Sequence, residues 1–338
     1  MTAMPAAARW IRPLALAGLV LCFVVVVLGA YVRLTAAGLG CPDWPGCYGH
    51  FTPPSRLEMA ENNQVFPTKP MDHGKAWREM IHRYAASTLG LIIVSLAVLG
   101  FTTRRRRLVS LPLAWGLVAI VLFQGLLGML TVTWQVTPLV VTGHLLFGLT
   151  TLSLLWWLWL SLQPARANSS SAVVWRLTFI GLIALIVQIA LGAWVSTNYA
   201  DIGCPDFPKC RNAWWPDADF RGAFVLWRGL GVNYEGGVLP LAARAAIHLT
   251  HRMGAIIAAL TLCLAAITAI RRKLTYVMPA ACAVLGALAL QLTLGITMVL
   301  QGFPLVIATA HTAGAALLLL SVLAMLRGAG ATALSRPI

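Results

Sequence analysis

Acid is scarce in this chain: 10 Asp and Glu in 338 residues, with charged residues of both signs at only 10%. Soluble domains carry about 25% charged residues, so the water-soluble two-domain protein that the length alone would suggest is excluded. Hydrophobic residues make up 59% of the chain, and the fold class they imply is an all-α membrane protein. The formal charge of +15 imitates a nucleic-acid binder, so the position of each base has to be read before its sign.

Crossing the hydrocarbon layer as helix takes roughly 20 apolar residues. Eight such runs fit, at about 14–33, 80–102, 109–132, 138–162, 173–196, 242–268, 275–298 and 304–326. An even number puts both termini on one side. The segments facing that side hold Arg9, Arg12, Arg104, Arg105, Arg106, Arg107, Arg166, Arg176, Arg271, Arg272, Lys273, Arg327 and Arg336, which is 13 bases and no acid; the other side keeps 12 bases and all 10 acids. The positive-inside rule then places both termini in the cytoplasm of a multi-pass protein of the cell (inner) membrane, and no nucleic-acid partner is expected. Arg9 and Arg12 ahead of the first run resemble a signal peptide, but the run is long for one and Arg33-Leu34-Thr35 is a poor cleavage site. It is read as a true helix.

Polar connections are short on the inner side. The two long ones, 34–79 and 197–241, lie outside, where cysteines can oxidise. Trp214, Trp215 and Trp227 in the second of them are expected at the membrane interface.

The chain is a duplication. Leu28-Gly29-Ala30-Tyr31-Val32 aligns with Leu191-Gly192-Ala193-Trp194-Val195, and the same offset of 163 carries Gly40-Cys41-Pro42-Asp43 through Cys47 onto Gly203-Cys204-Pro205-Asp206 through Cys210. His82-Arg83 falls on His251-Arg252 at an offset of 169, and Gln124, Gly128 and His144 fall on Gln291, Gly295 and His311 at 167. Each half supplies four helices, so the copies enter the membrane in the same sense as two tandem pseudo-symmetric four-helix bundles. The expected boundaries are 1–162 for the N-terminal bundle, 163–172 for a cytoplasmic linker and 173–338 for the C-terminal bundle.

Of the 7 histidines, His50 and His73 lie in the first outer loop and read as solvated. His82, His144, His251 and His311 lie on the second, fourth, sixth and eighth helices, each about five to nine residues inside the outer end. At about 1.5 Å rise per residue they share one depth. A lone intramembrane histidine is often just hydrogen-bonded to a neighbouring helix, but two per bundle at equivalent positions point to a ligand role. Zinc wants three or four close ligands, whereas two opposed imidazoles across an apolar slot suit the iron of a flat haem, one per bundle. Arg83 and Arg252, next to two of these histidines, read either as snorkelling to headgroups or as partners of haem propionates.

Glu79 sits one turn before His82 on the same helix face, and the equivalent residue of the second half is His248. A carboxylate beside a haem edge can take a proton or stabilise positive charge. An interfacial pairing with Lys75 or Arg78 is the plainer alternative. His248 would instead bond a propionate or a neighbouring loop. If chemistry belongs to one half, the first is the candidate. Cys22, Cys263 and Cys282 lie within helices as small apolar residues. Cys41 with Cys47 and Cys204 with Cys210 form outer C-x5-C pairs, read as disulfides that are either staples or redox-active.

Taken together, the Glu79-x-x-His82-Arg83 motif, His144, His251-Arg252, His311, both cysteine pairs and eight helices in two fused quartets resemble the haem A synthase family over nearly the whole chain. The resemblance implies an enzyme that binds haem O between His82 and His144 and oxidises its C8 methyl group to formyl by successive hydroxylations. It implies a haem b cofactor on His251 and His311, with Glu79 as the essential acid. Candidate partners are a haem O-forming farnesyltransferase, terminal oxidase assembly factors and a second copy of the chain. Two rivals are a cytochrome b that passes electrons through two permanent haems and a transporter. The difference between Glu79 and His248 argues against the first, and the ionisable groups at the outer ends, not the midplane, argue against the second.

Overall fold

The computed structural model describes residues 9–55, 58, 70–104, 108–163 and 170–330. Among them are eight helices long and apolar enough to cross a membrane: α1 (Ile11–Leu34), α2 (His73–Thr102), α3 (Leu111–Thr133), α4 (Pro138–Ser161), α5 (Ala172–Thr197), α6 (Leu241–Arg271), α7 (Met278–Leu300) and α8 (Leu305–Ala329). The protein is a multi-pass, all-helical membrane protein. Most of the expected linker, 164–169, and the bases Arg105, Arg106, Arg107, Arg166 and Arg336 lie outside the described residues.

Within each quartet the helices form a ring. The first packs on the second and fourth, the second on the third, and the third on the fourth. Between quartets, α1 meets α8, α4 meets α5, and α4 meets α8. Lipid supplies little hydrophobic drive for such contacts, so close packing through small residues carries them. Gly181 of α5 illustrates the point, since a Cβ there would lie 2.8 Å from Leu262 Cδ2 on α6. Left-handed residues recur at equivalent places in the outer turns: Ala36 with Tyr199, Tyr48 with Arg211, Gln135 with Gly302 and Val136 with Phe303. Ala36, Tyr199, Gln135, Val136, Gly302 and Phe303 reverse the chain just past the outer ends of the odd-numbered helices, while Tyr48 and Arg211 lie in the turns of the disulfide loops.

Helix starts depart most from the hydropathy reading. The apolar run of the second helix begins near 80, yet α2 begins at His73 because Asp72 caps it, its carboxylate accepting the Lys75 N–H at 3.0 Å. Its first two turns are polar and stand above the apolar run. Proline near the first turn begins α3, α4 and α7.

The outer loops are built, not loose. Cys41–Cys47 and Cys204–Cys210 are disulfide-bonded. Inside each loop an aspartate closes the turn: Asp43 accepts from Tyr48 and Gly49 N–H at 2.6 and 2.9 Å, and Asp206 from Arg211 and Asn212 N–H at 2.5 and 2.8 Å. Burial acts to raise the Asp206 carboxyl, but those N–H donors outweigh it and hold it below its ordinary value. Each loop then presses a glycine onto the backbone of the helix beneath. A Cβ on Gly40 would come within 2.6 Å of Lys75 C, and one on Gly203 within 2.5 Å of Arg244 C. Gly40→Ala is therefore expected to destabilise the protein by about 1–3 kcal/mol through overpacking, measurable as a lowered unfolding temperature in detergent; an unchanged transition would contradict the contact.

The second outer loop, which carries a single turn of helix at Phe220–Ala223, crosses onto the first half. Trp227 packs edge-on against Trp134 at 5.5 Å between ring centroids, the Tyr234 N–H donates to Gln135 O at 3.3 Å, and Glu235 pairs with Lys75 at 3.7 Å. Trp227 thus holds the two halves together through Trp134, a role its composition did not reveal, while Trp214 and Trp215 stay largely exposed.

Candidate functional site

Four histidines stand near the starts of the four even-numbered helices: His82 on α2, His144 on α4, His251 on α6 and His311 on α8. Because neighbouring helices run antiparallel, these starts share one end of the molecule with both disulfide loops. In the N-terminal ring His82 and His144 occupy one diagonal, with ring centroids 6.5 Å apart and planes at 75°. Two imidazoles can clasp one metal atom from opposite sides at such a spacing, since metal–nitrogen bonds of about 2 Å on each side bring the ring centres to roughly 6 Å.

Glycine occupies the other diagonal. A Cβ on Gly29, Gly192 or Gly295 would lie 3.0, 2.9 or 3.1 Å from Cε1 of His82, His251 or His311, and one on Gly128 would lie 3.5 Å from His144 Cε1. Every odd-numbered helix therefore leaves out a side chain where an imidazole needs the room. Among the described residues Nδ1 of His82, His144 and His311 is buried without a hydrogen-bond partner, a costly state for a polar atom that has no ligand to meet. Among the described residues no three of His, Cys, Asp and Glu converge on an ion site. The donor set is paired imidazoles, one pair per ring of helices.

Glu79 is 4% exposed. Neither expected basic partner holds it: Lys75 pairs with Glu235, and Glu79 forms an ion pair with Arg83, one turn further along α2. Its other oxygen accepts the Cys41 N–H at 2.9 Å, which ties the carboxylate to the disulfide loop. The i, i+3 spacing puts it on the His82 face of the helix. A second feature was missed in the sequence. Tyr48 is buried beside this cluster, and its phenol is pushed above its ordinary value by desolvation first, then by Asp43, Glu79 and Asp72. Only its place between Cys47 and the Asp43-capped turn could have hinted at it.

Arg83 and Arg252 share one task. Arg83 donates to the carbonyls of Asp43, Pro45 and Gly46 at 2.5–3.1 Å, and Arg252 to those of Cys204, Asp206 and Lys209 at 2.7–3.0 Å. Each guanidinium thereby clamps its disulfide loop over the helix that carries the histidine. His248 takes the loop option as well, its Nδ1 lying 3.1 Å from Asp201 O. His73 is engaged at the surface by the Trp77 indole N–H at 3.1 Å.

The model of a family described as cytochrome oxidase assembly protein, COX15-CtaA, matches residues 12–323. A protein of Shewanella oneidensis named heme A synthase is 42% identical over 308 residues, covering 90% of this chain and 92% of its own. Proteins of the same name from Rhizorhabdus wittichii and Caulobacter vibrioides are 27% and 28% identical, covering 94% and 88% of this chain and 92% and 89% of their own.

Proposed function

The chain belongs to the cytochrome oxidase assembly protein family to which the heme A synthases belong, and from that premise we propose that it oxidises haem O to haem A, converting the C8 methyl group to formyl by successive hydroxylations. The observation that carries the assignment of chemistry to the first half is the buried Glu79 carboxylate one turn before His82 on α2, where the second half has His248. His82 and His144 would hold the substrate iron. His251 and His311 would hold a haem b, which supplies electron transfer when bound.

Glu79 carries the one buried carboxylate on the histidine face of α2, fixed by Arg83 and the Cys41 N–H. From there it accepts a proton from the substrate edge or stabilises positive charge developing there. His248 in the second half offers no such charge. Arg83 and Arg252 would turn their remaining N–H donors to haem propionates while holding the loops in place. Clamped loops keep water from the slots, so the charges inside act at full strength. The basic ends face the cytoplasm in this reading and the haem sites face outward. A farnesyltransferase delivering haem O, terminal oxidase assembly factors and a second copy of the chain are its proposed partners.

Production together with a haem O-forming farnesyltransferase should give haem A in the extracted pigments. Recovery of haem O and haem b alone would reject the assignment and leave the two-haem cytochrome.

A further inference from the structure

A glutamine lies at three of the four histidines, and the halves use it differently. In the C-terminal half the Gln188 amide of α5 lies 3.0 Å from His251 Nδ1 while also donating to the His251 backbone carbonyl at 3.0 Å, and the Gln291 amide of α7 lies 3.2 Å from His311 Nε2. In the N-terminal half neither imidazole is met. Gln124 bonds the backbone carbonyl of His144 at 3.0 Å, and the position equivalent to Gln188, at the offset of 163, is Val25.

Room for the amide decides the difference. Gln188 Oε1 presses on Gly254 and Gln291 Oε1 on Gly314, so tightly that a Cβ at either glycine would overlap the amide. The equivalent residues of the first half, at offsets of 169 and 167, are Ala85 and Phe147. There Gln124 packs instead on Gly148, one residue further on, where a Cβ would lie 3.1 Å from its Nε2. Glutamine and glycine thus occur as matched pairs in one half, and both pairs are broken in the other.

We propose that Gln188 and Gln291 are positioning residues that lock the His251 and His311 imidazoles, and that the N-terminal half lacks both locks so that its haem can exchange. This rests on the two-haem reading above. When one ring nitrogen binds iron the other carries a proton and needs an acceptor. Among the described residues the Oε1 atoms of Gln124, Gln188 and Gln291 are all buried without a partner, but only Gln188 and Gln291 lie at a ring nitrogen; there rotation exchanges the two ends of the amide, at the cost for Gln188 of its bond to the His251 carbonyl. Such an outer-shell acceptor fixes ring orientation and raises ligand basicity, and its loss costs about 10- to 100-fold in metal affinity. A product that must leave is served by imidazoles without that lock; a resident cofactor is served by imidazoles with it.

The test uses the full-length His144→Ala protein, which keeps a single haem in the C-terminal half. Haem transfer from it to apomyoglobin should speed up about 10- to 100-fold on adding Gln188→Val, and likewise on adding Gly254→Ala, which displaces the amide without removing it. Gln188→Glu, a stronger acceptor of the same size, should keep the haem and lower its reduction potential, whereas Gln188→Val should raise it. A merely structural role would leave the potential unmoved. Conversely, Val25→Gln with Ala85→Gly in the His251→Ala protein should slow exchange from the first half. Unchanged transfer rate and potential in Gln188→Val would overturn the lock. If the His144→Ala protein holds no haem, or keeps it after His251→Ala, the two-site reading itself falls and the inference with it.

Discussion

Glu79→Gln is expected to cut haem A formation by about 10²- to 10⁴-fold, the usual worth of a positioned acid–base group, while haem O stays bound. Glutamine keeps the size of the side chain and an oxygen for the Cys41 N–H, but it removes the charge and the ion pair with Arg83. Arg83 retains three loop carbonyls, so the loop stays clamped and the guanidinium is not left bare. This separates two causes. A carboxylate needed for chemistry gives a protein with normal pigment content, normal unfolding and almost no turnover. A carboxylate needed only to anchor the loop gives a protein that loses haem and unfolds earlier. Turnover within a few-fold of the parent, with haem in place, would remove Glu79 from the mechanism.

Much of this site was legible because the membrane restricts what a sequence can mean. An imidazole in an apolar helix is expensive, so His82, His144, His251 and His311 stood out, and the repeat set them in pairs. The spans were legible for the same reason. The polar first turns of α2 were not, since hydropathy is silent where a helix stands clear of lipid and only Asp72 marks its start. Long-range partners were harder. The i, i+4 spacing of Glu79 and Arg83 permits an ion pair, but nothing local says that the guanidinium also gathers loop carbonyls. Nor does any pattern along 197–241 encode that Trp227 and Glu235 meet Trp134 and Lys75 of the other half. Val25 was legible only once Gln188 was known to touch a histidine, because an apolar residue in an apolar helix carries no signal of its own.

The second large effect is expected at the C-terminal pair. His251→Ala or His311→Ala should remove most haem b, a loss beyond the roughly 100-fold that outer-shell changes cause, and should leave haem O bound to the first half. Gly192 and Gly295 bring no side chain against the rings, and the glutamine amides beside them are poor replacements for an imidazole nitrogen, so alanine leaves one axial position of the iron open. Contacts from the other half add little here, because the main seam between the halves is formed by α1, α4, α5 and α8, and α6 and α7 pack chiefly within their own ring. Oxidation of haem O should fall along with haem b, since electrons leaving the first half then have no acceptor beside it. Pyridine haemochrome analysis of the purified variants reads both pigments at once. Loss of haem O with retention of haem b would mean that the halves have exchanged roles, and Glu79 would then stand beside the resident cofactor and not the substrate.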